Sequence, residues 1–265
     1  MADASATPGP AALAGRTALV TGGGNGLGRS IVLALARAGV RVIAAGRTEA
    51  TLADTAGAAA EASGDVVTAT VDVADPGSVA RLGDVLGREE ISILVNNAGV
   101  AGPVAPLVDV DPADWDDVFA VNVRGAFLMC RQFLPAMIDR GAGDVINIAS
   151  VSGKRPLAGR TPYCASKMAV IGLTTTLAAE VGPLGVSVNT LSPGPVRGPR
   201  MDRNFRLEAE RLGVTVEAAT EAFVSRALLH RLVESDEVGQ AVVAMLQMPG
   251  LHAADIDLSA GMVAG

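Results

Sequence analysis

Short apolar segments alternate with helical segments along most of this 265-residue chain. The first of them, Thr17–Thr21, runs directly into a glycine-rich turn and a helical pattern, and the alternation then recurs as far as Leu191. Because strand–helix–strand units form right-handed crossovers between parallel strands, this order predicts an α/β fold. We expect a doubly wound parallel sheet of about seven strands with helices on both faces. Only 3% of the residues are aromatic, so Ala, Val, Leu and Ile should build the buried strands.

The length and the lack of a repeat or linker predict one domain over residues 13–265, preceded by a flexible tail over residues 1–12. From about residue 195 to residue 234 the pattern is polar and helical without a strand, which is typical of a substrate lid. A row of arginines in this segment could bind an acidic substrate group, but neighbouring glutamates favour a surface ion-pair network. The arginines are Arg197, Arg200, Arg203 and Arg206, and the glutamates are Glu208, Glu210, Glu217 and Glu221.

Charge and composition exclude several classes of protein. The formal charge of -7 argues against nucleic acid as a partner. No uncharged apolar run is long enough for a membrane span and no signal peptide is recognisable, so we expect a soluble, cytoplasmic protein. Two cysteines and two histidines without ligand spacing predict neither a disulfide framework nor a metal site. Cys164 has no histidine near it in sequence and is interpreted as a small packing residue rather than a nucleophile.

Tyr163 is the only tyrosine of the chain, and Lys167 is one of its two lysines. On a helix, residues four apart lie on one face, and an ammonium group beside a phenol favours the phenolate, as a general acid/base requires. A compact ammonium group can also serve a phenol and a ligand hydroxyl together, which a planar guanidinium cannot. The pair alone is equally compatible with catalysis and with a chance arrangement on a helix face.

The glycine turn at residues 22–28 lies between a strand and a helix, the context in which backbone N–H groups bind a pyrophosphate. A flexible loop is the alternative. In a parallel sheet the ligand crevice lies at the carboxyl ends of the strands, where the strand order reverses. Asp72-Val73, Asn96-Asn97-Ala98-Gly99 and Ser150 each follow a strand at this crevice, and the turn that contains Pro193-Gly194 should line it.

The end of the second strand bears on the choice of cofactor. NAD-binding proteins usually place an acidic residue there to bind the ribose 2′-hydroxyl, whereas Arg suits a 2′-phosphate. Here Gly46 is followed by Arg47 and Thr48, so NADP(H) is favoured over NAD(H), and S-adenosylmethionine is disfavoured. A solvated loop cation is the alternative interpretation of Arg47.

In combination these motifs resemble the short-chain dehydrogenase/reductase family, over nearly the whole chain from about Leu13. The turn TGGGNGLG is similar to the family's T-G-x-x-x-G-x-G, and NNAG, the serine, YCASK and Pro-Gly follow in the family's order. The resemblance implies a Rossmann fold and an NAD(P)-dependent oxidoreductase. It also implies a catalytic tetrad of Asn122, Ser150, Tyr163 and Lys167.

The resemblance further implies a role for each member of the tetrad. Tyr163 would exchange a proton with the substrate oxygen, and Ser150 would hydrogen-bond that oxygen. Lys167 would hold the nicotinamide ribose and favour the phenolate, while Asn122 would keep a water-linked proton path open. Ser150 could instead cap the strand end, with Ser152 as a rival for its role, and Asn122 could be an ordinary polar residue of a helix.

The predicted function is therefore hydride transfer between NADP(H) and a small carbonyl or secondary-alcohol substrate. The alternatives are an NAD(H)-dependent secondary-alcohol dehydrogenase of the same family, in which Thr48 or backbone groups meet the ribose, and a non-catalytic dinucleotide-binding regulator. The residues predicted to bind the cofactor are Thr21, Gly22, Gly24, Asn25, Gly26, Leu27, Gly28, Arg47, Thr48, Asp72, Val73, Asn97, Ala98, Gly99, Tyr163, Lys167, Pro193, Gly194 and Val196.

Two positions depart from the family pattern. Gly198 stands where the family often has Thr after the Pro-Gly turn, which puts one contact to the cofactor amide in doubt. The tail Asp257-Leu258-Ser259-Ala260-Gly261-Met262 lacks the usual Val-Asp-Gly-Gly. The resemblance also implies a homo-oligomer, a homotetramer or a dimer, formed through the tyrosine-bearing helix and the C-terminal strand.

Overall fold

The computed structural model describes residues 12–263, apart from the side chain of Arg200. The tail predicted over residues 1–12 lies outside the described residues, except for its last one. Within the described part, seven strands form one parallel sheet. They are β1 (Thr17–Thr21), β2 (Arg41–Gly46), β3 (Val66–Thr70), β4 (Ile91–Asn96), β5 (Gly143–Ile148), β6 (Val186–Pro193) and β7 (Asp255–Leu258).

The strands are ordered β3-β2-β1-β4-β5-β6-β7 across the sheet. The chain first adds strands on one side of β1 and then crosses to its other side, so the strand order reverses between β1 and β4. This arrangement confirms the predicted doubly wound parallel sheet. Open α/β sheets bind their ligands at such a switch point, beyond the carboxyl ends of the strands.

Helices cover both faces of the sheet. They are α1 (Gly26–Arg37), α2 (Glu49–Ala58), α3 (Pro76–Val85), α4 (Pro112–Phe119), α5 (Gly125–Arg140), α6 (Thr161–Val181), α7 (Pro199–Leu212), α8 (Val216–Val224) and α9 (Ser235–Leu246). In the described part of the chain, none of the helices combines the length and the apolar character needed to cross a membrane.

Successive residues of a strand point to opposite faces of a sheet, and the core is accordingly divided into two layers. Val20 and Ile93 pack in the layer that contains α1 and α9, whereas the adjacent Leu19 and Leu94 pack in the layer that contains α5 and the C-terminal part of α6. All four side chains are fully buried. Because both faces of β1 and β4 are covered, these strands can consist almost entirely of apolar residues.

The segment between residues 195 and 234 is helical, as its sequence predicts, and contains α7 and α8. Its two ends meet in an isolated parallel bridge between Val196 and Val233. The segment therefore leaves and re-enters the body of the protein at one place, just beyond the carboxyl end of β6.

Candidate active site

The glycine turn connects the end of β1 to the first turn of α1. Gly22 has a φ of 67°, which favours glycine. The Cβ position of Gly28 lies 2.0 Å from the carbonyl oxygen of Gly22, so a side chain there would collide with the turn. Asn25 is the N-cap of α1, and its side chain makes no capping hydrogen bond within the described residues. The first N–H groups of α1 are thus available to an anion.

Thr21 and Asn97 fasten this turn to the end of β4. The Oγ1 atom of Thr21 accepts hydrogen bonds from the backbone N–H groups of Asn97 and Ala98, each at 3.0 Å. The side-chain amide of Asn97 donates to the carbonyl of Thr21 at 2.8 Å. Three residues predicted to bind the cofactor are thereby brought together at the switch point of the sheet.

Helix α2 supports the same turn through Thr55, a residue that sequence reasoning missed. Thr55 is fully buried, and its hydroxyl donates to the carbonyl oxygens of Gly24 at 3.2 Å and Thr51 at 3.0 Å. Thr55 follows Gly24 by 31 positions, so no local motif includes it. Its contact with the turn depends on how α2 packs, which the sequence motif does not encode.

Arg47 and Thr48 lie at the end of β2, beside the glycine turn. The neighbouring Ala45 accepts a backbone hydrogen bond from Gly23 at 3.0 Å, so the two segments are in contact. Arg47 and Thr48 are exposed, and Arg47 makes neither a hydrogen bond nor an ion pair with another described residue. The guanidinium is therefore in reach of a ligand bound along the turn.

Asp72 and Val73 follow β3 but differ in which of their groups are available to a cofactor. One carboxylate oxygen of Asp72 accepts a hydrogen bond from the N–H of Ala74 at 3.0 Å, which fixes the side chain at the edge of the cleft. Val73 is 6% exposed, and the Cβ position of Gly125 lies 2.8 Å from its Cγ2 atom. The side chain of Val73 therefore belongs to the core, and only its backbone is left to meet a cofactor.

Asn122 lies in a π-helical turn, Ala120–Arg124, that joins α4 to α5 without a break. Such wide turns occur frequently at functional sites. Its Oδ1 atom accepts from the N–H of Val100 at 2.8 Å, and its Nδ2 atom donates to the carbonyl of Val100 at 3.0 Å and to Ser166 Oγ at 3.0 Å. Asn122 is 3% exposed. It is thus a buried connector between the β4 loop and α6, not an ordinary polar residue on a helix surface.

Lys167 and Tyr163 lie one turn apart in the N-terminal half of α6. The Nζ atom of Lys167 donates a hydrogen bond of 2.8 Å to the carbonyl of Ile148, the last residue of β5, and lies 5.8 Å from the ring centroid of Tyr163. The Cβ position of Gly99 is 3.5 Å from this Nζ atom and 3.2 Å from Asn122 Oδ1. The structure therefore gathers Asn122, Tyr163 and Lys167 at the carboxyl end of β5.

Ser150 completes this group two residues beyond Ile148 and is 7% exposed. Its Oγ atom accepts from the N–H of Ser152 at 3.1 Å and donates to the carbonyl of Pro193 at 3.5 Å. The hydroxyl thus caps the short 3-10 turn Val151–Gly153, in line with the alternative that Ser150 caps the strand end. It also lies at the carboxyl end of β5. Ser152 contributes to this geometry through its backbone N–H.

Two further residues near Tyr163 were missed by sequence reasoning. Ser166 accepts from Asn122 and donates to the carbonyl of Tyr163 at 2.7 Å, which ties the π-helical turn to α6. The guanidinium carbon of Arg160 lies 5.5 Å from the ring centroid of Tyr163. The interval of three residues between Arg160 and Tyr163 could have indicated this second cation, since such residues adjoin on a helix.

The end of β6 connects the cleft to the helical segment 195–234. Gly194 donates a backbone hydrogen bond of 2.8 Å to Leu258 on β7, and Val196 takes part in the bridge at the base of that segment. Arg197 forms an ion pair of 2.9 Å with Glu234. The predicted network is not seen among the described side chains of this segment, which exclude that of Arg200: Arg203 and Arg206 have no ion pair there, and Glu208 pairs with Arg211.

The other lysine, Lys154, is used for structure. Its ammonium group pairs with Asp255 at 2.9 Å and with Asp257, which joins the loop after Ser150 to β7. Burial lowers the pKa of Lys154, but the hydrogen bonds and charges of the two carboxylates outweigh it and the net pKa is raised. In the tail after β7, Ala260 adopts a φ of 53°, a conformation that glycine adopts more readily.

Neither thiol is suited to nucleophilic attack. Burial raises the pKa of Cys130 to about 12, although a hydrogen bond from Asn96 opposes the change, and burial also raises the pKa of Cys164. The reactive form of cysteine is the thiolate, so both side chains are inert near neutral pH. Among the described residues, no group of three or more His, Cys, Asp or Glu side chains could hold a metal ion.

Comparison with known proteins places this geometry in a family. The family model described as short chain dehydrogenase matches residues 16–210. D-threitol dehydrogenase of Mycolicibacterium smegmatis is 41% identical over 187 residues, which cover 68% of this chain and 70% of that protein. L-xylulose reductase of Bos taurus is 40% identical over 189 residues, 71% of this chain and 74% of that protein.

A solved structure agrees with these relatives. A variant of actinorhodin polyketide ketoreductase with NADPH matches with a TM-score of 0.86 and 32% sequence identity, covering 93% of this chain and 97% of that one. Each of these proteins is named as a dehydrogenase or reductase, which argues against a non-catalytic regulator. The chain is therefore an NAD(P)-dependent oxidoreductase of the short-chain dehydrogenase/reductase family.

Proposed function

We propose that this enzyme transfers a hydride between NADP(H) and a carbonyl or secondary-alcohol substrate, with Tyr163 as the general acid/base. The observation that carries the proposal is the position of Lys167. Its Nζ atom is held at 2.8 Å on the last carbonyl of β5, 5.8 Å from the ring centroid of the only tyrosine. A buried ammonium group that is fixed beside a phenol stabilises the phenolate during proton transfer.

In the direction of reduction, the carbonyl carbon gains a hydride and its oxygen gains a proton. Tyr163 gives that proton from its hydroxyl and is later reprotonated, and in oxidation the same steps run in reverse. The Ser150 hydroxyl turns its one proton from the Pro193 carbonyl, its acceptor at 3.5 Å here, and donates it in a hydrogen bond to the substrate oxygen as negative charge develops there. Asn122 acts on the path of reprotonation. Its side chain links the loop after β4 to Ser166 and, through Ser166, to the first turn of α6.

The cofactor fits the glycine turn, where Gly28 approaches the turn too closely for a side chain and the N-terminus of α1 offers N–H groups to a pyrophosphate. When bound, the nicotinamide supplies or accepts the hydride. Lys167 would hold its ribose, and Asn97 and Ala98 would fix the loop that faces it. Arg47 would bind the 2′-phosphate, a preference that NADPH in the related ketoreductase structure supports.

We further propose that residues 13–265 act as one catalytic domain in which α7 and α8 form the lid over the substrate. The lid and the loop after β4 decide which substrate is accepted. The relatives act on a polyol, a ketose and a polyketide, as their names state, so the family alone leaves the substrate open.

Paired serine variants test the assignment of Ser150. The Ser150→Ala variant loses the hydroxyl that stabilises the substrate oxygen, so we expect kcat/KM to fall by about 100-fold or more. Ser152→Ala keeps the backbone N–H that Ser150 accepts and should retain most of the activity. Consumption of NADPH with a panel of ketones, and reduction of NADP+ with a panel of alcohols, gives both rates. A larger loss of kcat/KM in Ser152→Ala than in Ser150→Ala would show that Ser152, not Ser150, stabilises the substrate oxygen.

A further inference from the structure

Residues 100–108, in the middle of the loop after β4, contain no polar side chain. Their sequence is Val-Ala-Gly-Pro-Val-Ala-Pro-Leu-Val, and they follow the carboxyl end of β4. We propose that this loop is the apolar wall of the substrate site, and that the enzyme acts on ketones or secondary alcohols with a hydrocarbon body rather than on polyols. The inference rests on the proposed function and names its substrate class.

The loop is held at two points of its apolar part, Val100 and Ala105. The side chain of Asn122 makes two hydrogen bonds with the backbone of Val100, at 2.8 and 3.0 Å. The N–H of Ala105 donates to the carbonyl of Gly159 at 3.0 Å, four residues before Tyr163. These hydrogen bonds hold the loop through its own backbone groups, so its side chains are left for other contacts.

These side chains are unusually exposed for their size. Val104 is 62% exposed, Leu107 58% and Val108 90%. Leu157, on the loop that leads into α6, is 41% exposed, and the Cβ position of nearby Gly159 lies 3.7 Å from Val104 Cγ1. The loops after β4 and β5 thus meet at Val104 and Gly159, and the exposed side chains of Val104 and Leu157 beside this contact are open to a bound hydrocarbon chain.

The chemistry of this surface discriminates between substrate classes. Each methylene group of a substrate that moves from water onto apolar side chains gains free energy, whereas each polyol hydroxyl that loses water there without a partner costs free energy. Val104, Leu107 and Leu157 offer no donor or acceptor to replace that water. Affinity should therefore rise with chain length in a series of methyl ketones and should be lower for threitol or xylitol.

The test measures binding apart from turnover, in the complex with NADP+, in which a ketone cannot be reduced. Calorimetric titration with methyl ketones from butanone to octanone should give dissociation constants that fall by about two- to fourfold per methylene group. The Val104→Asn/Leu157→Asn variant should lose most of this dependence. Val85→Asn changes a more exposed apolar residue at the end of α3, 77% exposed and outside the cleft loops, and should behave as the wild type.

Three results would overturn the inference: dissociation constants that do not change with chain length, tighter binding of polyols than of ketones, or the same dependence in the double variant. A double variant with a changed sedimentation coefficient and unchanged ketone binding would assign the surface to a contact between subunits instead. Ketone binding with the expected dependence but no turnover in wild type with NADPH or NADH would refute the proposed function, and of this inference it would leave only the assignment of the loop as an apolar binding surface.

Discussion

Lys167 is held by the sheet as well as by its own helix, since its ammonium group donates to the last carbonyl of β5. If it also serves both the phenol and the ribose, Lys167→Ala should weaken NADPH binding by about tenfold and lower kcat by about 100-fold. Fluorescence titration and steady-state rates measure the two effects. Lys154→Ala, which removes the other lysine, should lower stability but not NADPH affinity. A loss of turnover alone in Lys167→Ala would contradict the double role.

In the proposed function, the preference for NADP(H) depends on Arg47. Arg47→Ala removes a charged donor to the 2′-phosphate, so we expect the affinity for NADPH to fall by about 10- to 100-fold while that for NADH hardly changes. Titration of both cofactors measures the change, with Thr48→Ala as the neighbouring control. If the enzyme binds NADH more tightly than NADPH, and only Thr48→Ala weakens the binding of NADH, the NAD(H) alternative is correct.

Residues in local motifs could be found from the sequence, whereas residues that act through tertiary contacts could not. The glycine turn and the pair Tyr163 and Lys167 are defined by spacings of a few residues, and the structure brings them to one cleft. Thr55 and Ser166 reach their partners only because α2 packs on the turn and the π-helical turn packs on α6. No pattern in one sequence encodes those approaches.

At the scale of elements, the segment after β7 stores local strain. Ala260 adopts a φ of 53°, where a residue with a Cβ atom costs about 1 kcal/mol relative to glycine. Ala260→Gly should therefore raise the free energy of unfolding by about 0.5–1 kcal/mol, as measured by urea denaturation. Ala179→Gly, on the exposed side of α6, should lower it by a similar amount. Destabilisation by both changes would show that the conformation of residue 260 is not strained.

Strands and helices were predictable because the apolar segments are short and regularly spaced, but the continuity of α4 and α5 was not. The residues Ala120–Arg124 have no glycine or proline and no sign of a wider turn, and within the π-helical turn Asn122 makes two hydrogen bonds to Val100. The family pattern drew attention to Asn122, whereas its partners and its burial are properties of the folded chain.

At the scale of the molecule, the order of the strands joins these parts into one site. The reversal between β1 and β4 places the glycine turn beside the loop after β4, and β5 and α6 bring Tyr163 and Lys167 to the same edge. The parallel sheet could be predicted from the alternation of elements. The contact between residues 104–105 and residue 159, from which the apolar wall is proposed, could not, since it depends on how the two loops fold.

Removal of the hydroxyl group of Tyr163 tests whether this residue is the proton donor. Tyr163→Phe keeps the ring that lies beside Arg160 and Lys167 but cannot exchange a proton with the substrate. We predict that its turnover with NADPH and an accepted ketone falls by about 1,000-fold or more, while the dissociation constant for NADPH stays at the wild-type value. Turnover that persists near the wild-type rate would show that Tyr163 is not the proton donor.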